Sequence, residues 1–102
     1  MQTVYTTVPP EAAADIAAKL VDEGHAACVN RLDCHSTYRW DGKQHEDPET
    51  LLLIKTTDDA ATELESRLLE LHPYDVPCIE RFEPTAVHDP FAAWIERSVE
   101  TE

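Results

Sequence analysis

Five histidines (His25, His35, His45, His72 and His88), three cysteines (Cys28, Cys34 and Cys78) and 21 acidic residues supply this 102-residue chain with metal-ligand chemistry in quantity. Thiolate with imidazole suits copper or zinc, whereas oxygen donors alone suit harder ions. Spacing decides whether such residues can act together. Cys34 and His35 are neighbours on a strand-forming segment, so they point to opposite faces and share an ion only at a bulge. The cysteine count is odd and no Cys-x-x-Cys occurs, which argues against a structural zinc site or a disulfide framework. Each cysteine, Cys28 included, also reads as a small buried apolar residue. The histidines read as surface or core-edge residues, except His72, where a metal-ligand role weighs evenly against that reading. His72 ends a helical pattern, where the carbonyl end favours imidazolium, and Pro73-Tyr74 follows as a rigid turn carrying an aromatic.

Catalysis finds less support. Two glycines in all exclude a glycine-rich nucleotide loop, and the turn after the first strand, Thr7-Val8-Pro9-Pro10, lacks the Gly and Arg donors of a phosphate cradle. No cysteine is paired by spacing with a base. The chain reads as a non-enzyme.

The elements that must position these residues follow from periodicity. Gln2 to Thr7 alternates as a strand that Pro9-Pro10 stops, and Ala13, Ile16, Ala17, Leu20 and Val21 recur at helical spacing up to a Gly24 cap. Asp41-Gly42 between β-formers is a two-residue hairpin turn, with arms from Ala27 to Trp40 and from Lys43 to Thr57. Each arm is about 14 residues long, against a usual maximum of about 10. A ribbon that outruns its own core calls for a second copy of the chain. The turn sets a register in which Tyr38 opposes His45, Ser36 opposes Asp47 and Cys28 opposes Lys55. Pro48 cannot donate a ladder bond, so a bulge, a register slip or an edge position is expected near His35.

Leu51 to Ile54 forms an apolar run suited to a central strand covered on both faces. Thr57 or Asp58 caps a second helix with Ala61, Leu64, Leu68 and Leu71 as its stripe, and His72-Pro73 ends it. Cys78 to Glu83 reads as a short strand. Asp89-Pro90, as cap and first helical residue, opens a terminal helix with Phe91, Trp94, Ile95 and Val99 on its apolar face. The order β-α-β-β-α-β plus a closing helix is the ferredoxin-like α+β sandwich, one domain over residues 1–102 with both internal helices on one sheet face. Tyr38 and Trp40 share a strand face, either to pack on a neighbouring subunit or to stack a ligand. Glu46, Glu49 and Lys55 either line a polar cleft or sit on solvated faces and in intersubunit ion pairs.

Net charge is −13, with 21 acids against 8 Lys plus Arg, which excludes nucleic acid as a partner. Three readings of the acidity stay open: a surface suited to a high-salt, halophilic cytoplasm, a generic cation-attracting field, or a cluster for one divalent ion. No apolar run approaches the ~20 residues of a membrane span, so no membrane partner is expected and the chain reads as cytoplasmic.

Together, Ala26-Ala27-Cys28-Val29-Asn30, Ser36-x-Tyr38-x-Trp40-x-Gly42-Lys43, Glu49, Lys55-Thr56-Thr57 and His72-Pro73-Tyr74-x-x-Pro77 resemble the CutA divalent-cation-tolerance family from about residue 3 to residue 99. The resemblance implies a ferredoxin-like protomer in a PII-like homotrimer joined by the long hairpins. It implies tolerance of copper and other divalent cations, with copper or a related divalent ion as the bound metal, and no catalytic mechanism. His72 matches the His-Pro-Tyr position, and Tyr38, Trp40, Glu49, Lys55 and Tyr74 match positions expected to line an intersubunit cleft. Cys28 fits the Ala-Ala-Cys pattern as a structural residue or a ligand. Where some copper-associated members carry a further Cys and His, this chain has Thr6 and Leu71. The alternative is a PII-like signalling or scaffold trimer whose cleft takes a small anionic metabolite or a partner protein, with Lys55 as its key residue.

Overall fold

Asp41 and Gly42 both adopt left-handed backbone, with φ of 56° and 76°, and the turn they form sets the longest element pair of the molecule. In the computed structural model, which describes residues 1–99, that turn joins β2 (Cys28–Trp40) to β3 (Lys43–Thr56). Pairing runs unbroken from Trp40↔Lys43 to Cys28↔Lys55, so the register counted from the turn holds throughout. Of the alternatives expected at Pro48, no bulge or slip forms and the edge position is realised. Hydrogen-bonded and open pairs alternate outward from the turn, and His35↔Pro48 falls on an open pair, which turns the proline nitrogen away from β2. The edge position is what accommodates it: β1 (Gln2–Val8) pairs with β3 only as far as Val8↔Thr50, so nothing on that side needs a donor from Pro48.

The remaining elements are α1 (Pro10–Asp22), α2 (Ala61–Leu71), β4 (Ile79–Phe82) and α3 (Asp89–Ser98). The antiparallel sheet has the order β2-β3-β1-β4, the arrangement expected of a ferredoxin-like α+β fold. Beyond Thr50 the hairpin continues as a bare two-stranded ribbon, and it stretches the molecule to 45 × 26 × 19 Å. The radius of gyration, 14.2 Å, exceeds the ~13 Å of a compact chain of this length.

Alternation assigns the two sheet faces. Val4, Thr6 and Val8 of β1 and Leu52, Ile54 and Thr56 of β3 point to the helices and are fully buried. They meet Ile16 and Leu20 of α1 and Leu64 and Leu68 of α2, so the stripes read at 3.6-residue spacing form the main core. A smaller cluster joins Ala60, Ile95 and Val99. α1 ends in a Schellman arrangement in which Gly24, at φ 80°, donates to Val21 and His25 donates to Leu20. Thr57 Oγ1 accepts the Ala60 N–H ahead of α2. α3 starts one residue differently from the sequence reading: His88 is its cap, and Asp89 and Pro90 lie inside the first turn, where a missing N–H costs nothing.

Among the described residues the opposite sheet face is the less covered one. Leu51 and Leu53 are only half-buried there, so the apolar run of β3 is fully covered by its own chain on one side only. Leu32 (48% exposed) and Phe82 (50%) share that open face through the pairs Leu32↔Leu51 and Thr3↔Phe82.

Candidate functional site

Where the open face meets the root of the ribbon, a cleft of about 940 Å³ is bounded by β1, the ribbon and the turn after α2. Strand alternation puts Tyr5, Tyr38, Trp40, Asp47, Glu49 and Glu80 on this one face, since Tyr5 pairs with Glu80 and odd residues of β3 oppose even residues of β2. Five carboxylates line the cleft, from Glu11, Asp47, Glu49, Asp75 and Glu80, and no Lys or Arg does.

Glu49 lies at the centre of the hydrogen bonding. It is 8% exposed, accepts the Tyr74 hydroxyl at 2.7 Å and, among the described residues, has no cationic partner. Tyr38 donates its hydroxyl to Asp47 and stacks on His45 at 5.4 Å between centroids. Trp40 lies near the ribbon's tip, 55% exposed, with its ring on the cleft wall. The local field is uniformly negative. Burial first, then neighbouring carboxylates and thiols, holds Tyr5 above its ordinary value. Burial and the bond to Glu49 raise Tyr74 strongly, and the bond to Asp47 raises Tyr38. Burial, with Glu80 as acceptor at 3.2 Å, raises the Cys78 thiol.

His72 sits behind this wall. It is the C-cap of α2, 7% exposed, with Nε2 3.0 Å from the Thr7 carbonyl and Nδ1 3.2 Å from the Tyr74 amide. An amide N–H can only donate, so Nδ1 accepts, and Nε2 carries the proton and donates to Thr7. Both ring nitrogens are thereby engaged, and neither offers a lone pair to an ion. Burial lowers its proton affinity more than the Thr7 carbonyl and Glu49 raise it, so the imidazolium expected at a helix end is not the favoured form.

The structure gathers Tyr38, Trp40, Glu49 and Tyr74 at one cleft and leaves two sequence candidates outside it. Lys55 is six residues along β3 from Glu49, about 20 Å at the rise of a strand, and its Nζ donates to Thr3 Oγ1 at 3.3 Å. Cys28 pairs with Lys55 at that far end, and burial raises its thiol, which disfavours the thiolate a metal needs. Thr6 points into the core, away from the cleft. Among the described residues no three His, Cys, Asp or Glu side chains converge on a point that could hold a metal ion. Sequence reading passed over Tyr5 and Glu80, which come together only through the β1–β4 pairing, and Asp47, which the hairpin register had already placed opposite Ser36.

A family model described as CutA1 divalent ion tolerance protein matches residues 2–98. The divalent-cation tolerance protein CutA of Pyrococcus horikoshii is 40% identical over 96 residues, covering 93% of this chain and 94% of that protein. The Thermus thermophilus counterpart is 50% identical over 78 residues, 74% of this chain and 76% of that one. Among solved structures, P. horikoshii CutA superposes with a TM-score of 0.95 at 38% identity over 98% of this chain and all of that one. The PII-like protein CutA from Nostoc sp. also gives 0.95, at 31% identity over 98% of each chain. A structure described as the periplasmic divalent cation tolerance protein CutA from Archaeoglobus fulgidus gives 0.92 at 31% identity, over 98% of this chain and all of that one. Sheet order, hairpin and matched length agree, and the chain belongs to the CutA family of divalent-cation tolerance proteins.

Proposed function

We propose that this protein is a non-catalytic homotrimer that takes part in divalent-cation tolerance by binding copper or a related divalent ion at the acidic cleft, with neighbouring copies completing the site. The observation that carries this reading is the cleft lining: five carboxylates, four aromatic rings and no basic side chain. A cation is attracted to such a surface and an anion repelled. Because no three ligands converge within one chain's described residues, ligation draws on Glu49, Asp47 and Glu80 together with water or a second copy; these oxygen donors alone suit a harder ion, and copper calls for a softer donor such as Cys78, which also lines the cleft. His72 supports that set from behind.

Assembly is supported by the open sheet face. Leu32, Leu51, Leu53 and Phe82 form an apolar surface that the chain's own helices leave partly uncovered, and a surface of that kind is stabilised by a partner. The anionic-metabolite alternative finds no basic residue on this chain's own part of the cleft, since Lys55 stands at the other end of the sheet. A cytoplasmic setting is supported by three cysteines that remain free, two of them half-buried and one exposed.

Light scattering and calorimetry test the reading together. Three chains per particle are expected, with saturable heats for copper(II), zinc(II) or manganese(II) that fall at least tenfold in Glu49→Gln. A single-chain particle, or no saturable binding by any of the three ions, overturns it.

A further inference from the structure

The tip of the ribbon holds the one aspartate in the chain that glycine follows, Asp41-Gly42. That pair has chemistry of its own. The side-chain carboxyl carbon of an aspartate closes a five-membered ring when the next residue's amide nitrogen attacks it, and a glycine there puts no side chain in the path. The local structure leaves both partners available. In a two-residue turn the ladder bonds belong to the flanking pair, Trp40↔Lys43, and the Gly42 N–H donates no hydrogen bond among the described residues. The nitrogen is unengaged. Asp41 is exposed, and no atom lies within 4 Å of where a side chain on Gly42 would begin.

The backbone adds to this availability. Asp41 holds left-handed backbone at φ 56°, a region that is costly for a residue with a Cβ. β1 braces β3 only as far as Val8↔Thr50, and two strands alone are marginally stable in water, so the end of the ribbon opens more easily than the sheet behind it.

We propose that Asp41 is a site of spontaneous isomerisation to isoaspartate, through a succinimide formed with Gly42, and that the change unpairs the end of the ribbon. The Gly42 nitrogen attacks the protonated Asp41 carboxyl carbon, gives its own proton to solvent, and the carboxyl hydroxyl leaves as water. Water then adds back to the ring. Opening at the side-chain carbonyl restores aspartate, whereas opening at the main-chain carbonyl breaks the original peptide bond and leaves the chain running through Asp41 Cβ and Cγ. Mass and oxidation state are unchanged. The new link is one backbone atom longer, so it no longer sets Trp40 against Lys43, and pairing fails first where no third strand holds the register.

Ageing the full chain for weeks at body temperature and mildly acidic pH tests this. Trypsin cuts after Arg39 and Lys43, and chromatography separates the released peptide Trp40-Asp41-Gly42-Lys43 into aspartyl and isoaspartyl forms of equal mass. Isoaspartate, marked by an isoaspartyl methyltransferase with labelled S-adenosylmethionine, should accumulate at least tenfold faster at Asp41 than at any other aspartate. In brief digestion of the folded protein, aged chains should be cut at Arg39 at least fivefold faster than fresh ones. Asp41→Gly keeps a turn that accepts positive φ and removes the carboxyl, so it should age without gaining that sensitivity. No isoaspartate at Asp41, or equal rates at several aspartates, overturns the modification site. Isoaspartate without faster cutting, or an equal gain in Asp41→Gly, overturns the unpairing.

Discussion

Tyr74 is held to His72 through its backbone and to Glu49 through its hydroxyl, so one residue couples the end of α2 to the centre of the cleft. The ring of His72 in turn reaches the end of β1 at Thr7. Three segments distant in sequence are tied at one point. Replacing Tyr74 by Phe leaves the buried Glu49 carboxylate without its one protein donor. A hydrogen bond to a charged group contributes about 1.5–3 kcal/mol, and urea unfolding should show a loss in that range. Glu49→Gln keeps an acceptor for the Tyr74 hydroxyl at the same place, so its loss of stability should be smaller than that of Tyr74→Phe. A Glu49→Gln variant destabilised as much as Tyr74→Phe would contradict this account.

Much of the fold was legible before the structure, for reasons visible in particular residues. Asp41-Gly42 sets the hairpin phase, and because the side-chain period is two, that phase decides the face of every residue from Cys28 to Thr56. The site was legible only in part. Tyr38, Trp40 and Glu49 share a face by counting, but Tyr5 and Glu80 join them through a strand pair separated by most of the chain. The helix-end position of His72 argued for charge, whereas burial and the backbone groups of Thr7 and Tyr74 that engage both its nitrogens are contributed by folding. Lys55 lies on the same face at the far end of β3, a separation within one chain that a motif match does not report.

His72 gives a pH dependence of definite sign. Burial places its folded proton affinity below the usual imidazole value of about 6.5. The unfolded chain therefore binds the extra proton first. The contribution is complete above about pH 6.5 and is lost as pH falls from there towards the lower folded value. Protonation of Nδ1 also sets two donors against each other at the Tyr74 amide. Urea midpoints measured from pH 8 to pH 5.5 should fall in the native protein and fall less in His72→Gln. Identical slopes in the two proteins would rule out His72 as the source.

Thr6 has a buried hydroxyl with no hydrogen-bond partner in the described structure. Leaving such a group unsatisfied costs about 1–3 kcal/mol, and valine has nearly the same shape without the penalty. Thr6→Val should raise stability by roughly 1 kcal/mol while leaving ion binding unchanged, because the residue faces the helices and not the cleft. A destabilised variant would show that the hydroxyl has a partner after all.

Leu32 tests assembly without touching the protomer core. It is 48% exposed on the open sheet face and opposes Leu51 across the hairpin. A carboxylate placed in a buried apolar interface carries a desolvation cost of several kcal/mol per copy. Leu32→Glu should therefore give single chains by light scattering at micromolar concentration, with far-ultraviolet circular dichroism close to native. Retention of the native particle mass would show that this face is not the one that associates.

The net charge of −13 on 102 residues predicts a response to salt that can be separated from general salt effects. Like charges on a compact chain repel, and raising ionic strength from 0.1 M to 1 M shortens the screening length from about 10 Å to about 3 Å. Glu63, Glu83 and Glu96 are exposed, none is ion-paired in the described structure, and their conversion to Gln removes part of the repulsion directly. Native unfolding temperature should rise with potassium chloride over that range, and the triple variant should start higher and gain less. Screening predicts this convergence, whereas a salt effect on apolar burial would raise both proteins equally. Equal gains would assign the salt response to the core, and no gain in either would remove the basis for reading the acidity as an adaptation to high salt.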